Sequence, residues 1–299
     1  MLSYVLILGL ILLYTMQSFF CKRYTDSYPG DPEAASPVFS VFSGLMTVLV
    51  TCIFALFTLP FHFTWQVVLL GVLNGVVLAA YNFSMIQASR RGPYSVQMVF
   101  MLSGGILLPA FVAFGYGDRL AISQWLSVLL ILISIVMVSK KPGERFTSGN
   151  VLFWVFCIGL FVFNGAYGTL FDIQQNRLPM TADAKNEMIM LTFGTSALLN
   201  ALMGVFQRKK QFFLDFKQSK RSFLYLVLCS LATAAAINLL VFIMPLINIT
   251  VLYTFDNAGV LLFSVLCSFF FLKEKLSPMN LIGCVLMAVG LVGMVAAPF

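Results

Sequence analysis

Apolar stretches long enough to cross a bilayer follow one another along almost the whole chain, separated by short polar or turn-rich segments. The first runs from about Leu2 to Cys21 and ends at Lys22 and Arg23; TDSYPGDPEAA then makes a turn-rich loop. The second covers about Pro37–Leu59, PFHFTW turns the chain, and the third covers about Gln66–Ala88. Gly92-Pro93 opens the fourth, which reaches about Tyr116, with the proline in a first turn where its missing N–H does no harm. The fifth covers about Ile122–Val138 and the sixth about Val151–Ile173. The seventh covers about Met188–Phe206, the eighth about Phe223–Met244, the ninth Pro245–Phe271 and the tenth about Met279–Ala297. A span needs about 20 apolar residues. In lipid a lone segment can satisfy its backbone only as a helix. The pattern predicts an all-α integral membrane protein of ten transmembrane helices.

The two halves resemble each other at one constant offset of 156. Ala79, Ala80 and Asn82 map to Ala235, Ala236 and Asn238; Asp118, Arg119 and Leu120 map to Glu274, Lys275 and Leu276. Ser127 and Ser134 map to Gly283 and Gly290, and with Ala297 these small residues recur every seven positions, which reads as packing faces. The expected organisation is a five-helix repeat over residues 1–141 and a second over 142–299. Five is odd, so the second copy must be inverted relative to the first, as in many secondary transporters that bind solute near the midplane.

Composition agrees. Sixty per cent of residues are apolar and ten per cent charged, against about 25% charged in soluble domains. No room remains for a soluble domain, and MLSYVLILG lacks a basic n-region, so the first stretch is expected to stay as a span. The net charge of +7 reads as topology, not nucleic-acid binding. Fifteen of the eighteen Lys and Arg residues fall in the odd-numbered loops; Arg119, Arg177 and Lys185 are the others. The positive-inside rule then makes the odd-numbered loops cytoplasmic and puts both termini outside. QRKKQFFLDFKQSKR, the most basic loop, is expected along the membrane surface because phenylalanines interleave its charges.

Asp256 and Asn257 sit near the middle of the ninth stretch. An ionised aspartate at a helix centre costs about 2.5–3.5 kcal/mol on insertion scales, and its side chain is too short to snorkel. It must face protein or a water-filled cavity. Asp256 is therefore the candidate for binding a cationic or hydrogen-bonding substrate or for carrying a coupling proton; the alternative is a structural aspartate that fixes helix packing. Tyr253 lies one turn earlier on the same face, Thr250 and Asn257 are close in angle, and Tyr253 and Asn257 are candidate substrate-binding residues with Asp256. The counterparts of Tyr253 and Asp256 in the first half are Gln97 and Phe100, so the site would hold one acid. Tyr81, Asn82 and Asn238 are further candidate lining residues, each as readily an interhelical hydrogen bond.

The sixth stretch adds Asn164, Tyr167 and Asp172, the last either interfacial or lining. Glu187 reads as a solvated helix-start acid favoured by the helix dipole, and His62, the single histidine, as a candidate pH sensor. Gly104, Gly105 and Pro109 are either a hinge or a site of close packing, with Asn257-Ala258-Gly259 as the matching region. The six cysteines lie in or beside apolar stretches without a CxxC pair and read as small apolar residues. One histidine makes neither a metal site nor a triad. There is no Walker A, HExxH or GxSxG motif, so no ATP drive, metal, cofactor or enzymatic activity is expected. Asn248-Ile249-Thr250 matches a glycosylation sequon at the hard-to-reach start of a span.

GDRLAISQWLSVLLILISIVMVS (117–139) and KEKLSPMNLIGCVLMAVGLVGMVAAP (273–298) each place an acidic-basic-Leu step before a short closing helix. In this the chain resembles the drug/metabolite transporter superfamily, in its EamA-like ten-helix branch, although Asp118 replaces the usual Glu in the first copy. The resemblance implies that helices 3, 4, 8 and 9 lie near a central cavity, with helices 5 and 10 peripheral. Many members carry basic termini, so this chain would sit the other way up. The function expected is secondary active transport of a small organic metabolite or drug-like solute by alternating access, with Asp256 as the proton-coupling residue if protons drive it. An uncoupled facilitator or exchanger, or a non-transporting lipid-handling or assembly protein, are the alternatives. The expected setting is the bacterial plasma membrane, and the expected partners are the lipid bilayer and a small-molecule substrate. One chain holds both halves, so a monomer suffices to build the cavity and a dimer is not required.

Overall fold

The structure, a computed structural model, describes residues 2–29, 32–56, 61–89, 91, 94–117, 119, 121–139, 150–178, 183–209, 212, 216, 219–272 and 277–296. Among these there are helices and no strand. In chain order the helices are α1 (Leu2–Ser27), α2 (Pro32–Ala55), α3 (Trp65–Ser89), α4 (Tyr94–Gly115) and α5 (Ile122–Ser139). Then come α6 (Val151–Asp172), α7 (Lys185–Arg208), α8 (Lys220–Ile243), α9 (Ile249–Leu272) and α10 (Pro278–Ala296). A π-turn (Ile173–Arg177) follows α6, and a 3₁₀ turn (Met244–Leu246) follows α8. Among the described residues seven helices are long and apolar enough to cross a membrane; the apolar parts of α4, α5 and α10 are shorter, at Val99–Gly115, Ile122–Val138 and Pro278–Gly293. The protein is an α-helical, multi-pass membrane protein.

Helix ends depart from the apolar boundaries for local reasons. α1 runs through Lys22 and Arg23 to Ser27, because charge ends an apolar run without ending a helix. α9 begins at Ile249, after Pro245, and Asn248 caps it: its Oδ1 accepts the N–H of Thr250 at 2.9 Å. The sequon asparagine is thus a helix cap. Glu187 corrects the expectation of a solvated acid: it is buried, and its Oε1 accepts the backbone N–H of His62 at 2.6 Å. The chain at 61–64 folds back to supply that donor, which a carboxylate needs once it loses water. Phe212, in the basic loop, is also buried, packed with Val38, Val41 and Phe216; residues 210–211, 213–215 and 217–218 of that loop lie outside the described residues. The acidic-basic-Leu residues Asp118 and Leu120, the segment Glu274–Leu276, and Ala297 lie outside the described residues.

The helices group into two compact units. One comprises Met1–Asn82 and Leu170–Leu246, the other Phe83–Thr169 and Ile247–Phe299. Each draws on both sequence halves, and the chain passes between units inside α3 and inside α6.

In the first unit α1 lies along α8, and α2 packs on both α7 and α8. Gly44 lets α2 approach α7: a Cβ there would sit 2.8 Å from Ala197 Cβ and 2.9 Å from the Phe193 carbonyl oxygen. Tyr24 and Leu226 anchor one end of the unit, with Tyr28 and Phe39 against them.

In the second unit α5 lies along α10, and α4 packs on α9 and α5. Leu102, Ile106, Ile131, Ile135, Val251 and Met287 are among its core residues. Gly283 and Gly290 face α5, where added Cβ atoms would meet Val138 Cγ2 at 2.8 Å and Ile131 Cγ1 at 2.7 Å. Val285, Val289 and Val292 on the same helix are exposed, an outward apolar row that suits lipid.

Both closing helices start alike. Gln124 Oε1 accepts the N–H of Ala121 at 2.9 Å, and Asn280 Oδ1 accepts that of Ser277 at 3.0 Å. Ser277 Oγ accepts the Asn280 N–H in return at 3.2 Å, a capping box. Asn280 Nδ2 also donates to the Met137 and Val138 carbonyls at 3.1 and 2.8 Å, tying the start of α10 to the end of α5. Asn280→Leu removes cap and tie together and is expected to destabilise by about 1–3 kcal/mol. Thermal unfolding in detergent reads this, with Asn280→Asp, which keeps the accepting oxygen, falling between.

Candidate functional site

Around Asp256, α9 is buried on most sides: Thr250, Val251, Leu252, Tyr253, Thr254, Asp256 and Ala258 are all buried. A helix buried all round at its middle is surrounded by other helices. It can keep polar groups there only if they find partners or serve a purpose. Asp256 is 9% exposed, and among the described residues its Oδ1 has no hydrogen-bond partner. Thr254 Oγ1 is in the same position. A buried carboxyl oxygen without a partner is costly, so this is a place a ligand group, water or proton would relieve.

One residue on, Asn257 Nδ2 donates to the Tyr253 carbonyl at 2.9 Å, and its Oδ1 points at α4. A Cβ at Gly105 would lie 2.7 Å from that oxygen and 2.6 Å from Asn164 Nδ2 of α6. Asn164 Nδ2 in turn donates to the Met101 carbonyl at 2.8 Å. Glycine at 105 therefore lets two amides from α6 and α9 close on the α4 backbone. The next glycine is tighter still, since a Cβ at Gly104 would fall onto the Phe161 carbonyl oxygen and 2.6 Å from Phe161 Cα. These contacts favour close packing over a hinge at Gly104-Gly105, and α4 continues as helix through Pro109. Tyr253 lies against the α6 backbone: a Cβ at Gly168 would meet its Cζ at 2.6 Å and its Oη at 2.7 Å. In chemical terms the second unit holds an acid, a phenol and two carboxamides at the meeting of α4, α6 and α9.

The other expected site residues are distributed as follows. Gln97 is fully buried at the start of α4, and its Nε2 donates to the Met85 carbonyl at 3.2 Å, joining the ends of α3 and α4. Tyr167, half-buried, is on α6 of the second unit. Tyr81, Asn82 and Asn238 belong to the first unit, all half-buried. Asn238 Nδ2 donates to Thr51 Oγ1 at 3.1 Å and to the Ala234 carbonyl at 2.8 Å, so it ties α8 to α2. Asp172 is 1% exposed and paired: Asn176 Nδ2 donates to its Oδ1 at 2.7 Å, and Arg177 Nε lies 3.4 Å from its Oδ2. The pair sits in the π-turn, beside buried Gln174 and Gln175. His62 is exposed. Asn164, among the candidates of the sixth stretch but not of the expected binding set, is the residue that the packing moves to the front; the signal for it was an Asn in an otherwise apolar run.

No family model matches the chain, and no curated protein matches it. Among solved structures that match, one described only as a crystal structure of a protein has a TM-score of 0.78 at 16% identity, covering 97% of this chain and 95% of its own. At that identity the likeness speaks for the fold alone.

Proposed function

We propose that this protein is a secondary transporter of a small organic solute, with ten spans in two inverted five-helix repeats, of the drug/metabolite transporter kind. The observation that carries the reading is Asp256: a carboxyl buried within a spanning helix, one oxygen without a partner among the described residues, beside Tyr253 and Asn257. Intramembrane acids are expensive and are kept where a substrate, ion or proton needs them. In this reading Asp256 receives a cationic or hydrogen-bonding group of the solute or a coupling proton. Tyr253 and Asn257 hold neighbouring positions.

Packing supports the repeat. At the offset of 156, α2 corresponds to α7, α4 to α9 and α5 to α10, and each of these helices packs on its own counterpart. Pairing of equivalent elements is what an internal two-fold axis produces. Gln124 and Asn280, equivalent at the same offset, also make the same backward bond to a helix-start N–H. The basic odd-numbered loops favour a plasma-membrane orientation with those loops in the cytoplasm.

A thermal-unfolding screen of the purified protein in detergent, against amino acids, amines, nucleosides, vitamins and toxic cations, tests the proposal. A ligand at 100 times its Kd stabilises by about 2.7 kcal/mol, enough to read. A saturable shift that Asp256→Asn removes supports transport through this site. A shift with none of the solutes speaks for a lipid-handling or assembly role instead.

A further inference from the structure

In the first unit α1 lies along α8, and contacts at three levels fix their register. A Cβ at Gly9 would lie 3.8 Å from Leu239 Cδ2. Further along, Cys229 Sγ lies 3.1 Å from the Gln17 carbonyl oxygen. At the far end Tyr24 and Leu226, both fully buried, pack together. Residue numbers rise on α1 as those opposite them fall on α8, so the two helices run antiparallel.

The middle level brings two thiols together. The Gln17 carbonyl is the acceptor that the Cys21 N–H uses within α1, so a sulfur on that oxygen sits against the turn that carries Cys21. The Cys21 and Cys229 side chains are in hydrogen-bond contact with each other. Both are free thiols. Cys229 is fully buried, and Cys21 is half-buried. Cys21 ends the apolar span Ser3–Cys21, with Lys22 and Arg23 next along the helix, so it stands where lipid gives way to charged chain. Nearby on α8, Ser230 and Thr233 donate to the carbonyl four residues back in their own helix, the local solution for a small polar side chain. Cys229 instead reaches across to α1. Packing at this level needs only small apolar residues. What two thiols in contact add is the capacity to form a bond.

We infer that Cys21 and Cys229 are a redox pair, free in this structure and joined in a disulfide by hydroperoxides. The half-buried Cys21 meets the oxidant first. Its sulfur takes an OH from the hydroperoxide: the O–O bond breaks, an S–O bond forms, and the thiol proton leaves with the other peroxide oxygen as water, or as an alcohol from an organic hydroperoxide. The Cys229 sulfur then displaces that OH: the S–S bond forms as the S–O bond breaks, and the second thiol proton leaves with the OH as water. The two thiols together give up two electrons, and one peroxide is reduced. A dithiol reverses the change. The bond ties the first helix to the eighth and closes a loop over most of the chain, the case in which a disulfide restrains the unfolded state most. The pair lies within one unit, away from Asp256, and does not rest on the transporter reading.

The test uses the purified full-length protein in detergent, with Cys21→Ser and Cys229→Ser beside it. Each protein is treated with hydrogen peroxide and denatured. Its remaining thiols are then counted by the gel shift that a polyethylene-glycol maleimide gives, and peptide mass spectrometry identifies any cross-link. The wild type is expected to lose two of its six thiols, to yield a Cys21–Cys229 cross-link lighter by two hydrogens, and to regain both thiols with dithiothreitol. Its Tm should rise by several degrees on oxidation, and that of neither variant should. Cys21→Ser leaves the bond from Cys229 to Gln17 in place, so it separates the disulfide from packing. The inference is overturned if the wild type keeps all six thiols, if the thiols lost are joined to other cysteines or between two molecules, or if Cys21 goes on to the sulfinic acid while Cys229 stays free. Should Cys229→Ser fail to fold, Cys21→Ser alone is the control, and the thiol count and cross-link are read on the wild type itself.

Discussion

Asp256→Asn is expected to fold as the wild type does and to lose its response to the transported solute. The side chain keeps its size and shape, and no neighbour loses a bond to Oδ1, which has no protein partner among the described residues. Removing a buried carboxyl should leave Tm equal or raised, since the charged or half-satisfied group is a cost to the folded state. What disappears is the partner of the solute. A hydrogen bond to a charged group contributes about 1.5–3 kcal/mol, so affinity should fall roughly 10- to 150-fold for a cationic or strongly donating ligand. Titrating Tm against ligand in both proteins separates the two effects. Lost binding together with a collapsed Tm would instead mark Asp256 as a structural residue. An unchanged affinity would remove it from the site.

Gly104→Ala is the second large effect, and it acts on the fold. The new methyl would fall on the Phe161 backbone, where no side chain can turn aside. α4 and α6 must separate, which carries the amides of Asn164 and Asn257 away from Gly105. Overpacking of this kind costs about 1–3 kcal/mol or more. Gly115→Ala at the end of the same helix is the control, because a Cβ there meets nothing within 4 Å. There the gain in helix propensity should leave stability equal or raise it by about 0.5–1 kcal/mol. Parallel thermal melts of the two variants check the pair. Equal melting of both would mean that the α4–α6 approach is looser than the structure shows.

Most of the helical plan was legible in the sequence, because length and apolarity alone decide whether a segment can satisfy its backbone in lipid. Each of the ten expected stretches coincides with a helix, displaced at its ends where polar residues continue the helix, as at Lys22 and Arg23. Asp256 stood out for the same reason, as a charge where charge is costly. What the sequence did not reveal depends on contacts distant along the chain. Glu187 looked like a solvated acid because its partner, the N–H of His62, lies 125 residues earlier. The burial of Phe212 was hidden for the same reason, because the groove that takes it is formed by α2 and α7. Asn164 became prominent only through the register of three helices at Gly105. Hydropathy does not encode that register. The meeting of Cys21 and Cys229 was equally invisible, since the sequence shows two small residues far apart and not the register that lays α1 along α8. One structural echo was present unread: Gln124 and Asn280 lie 156 apart, at the starts of the two closing helices.

Solute-driven flux in liposomes separates transport from mere binding. Protein is reconstituted into vesicles holding a pH-sensitive dye, and the solute that shifts Tm is added outside with and without a pH gradient. Saturable solute movement is expected from the wild type and none from Asp256→Asn; a dye signal that accompanies the solute marks Asp256 as carrier of a coupling proton, and solute movement without it marks direct binding of the solute. Solute movement that persists in Asp256→Asn, or a bound solute that no vesicle containing the wild type ever moves, would contradict the account.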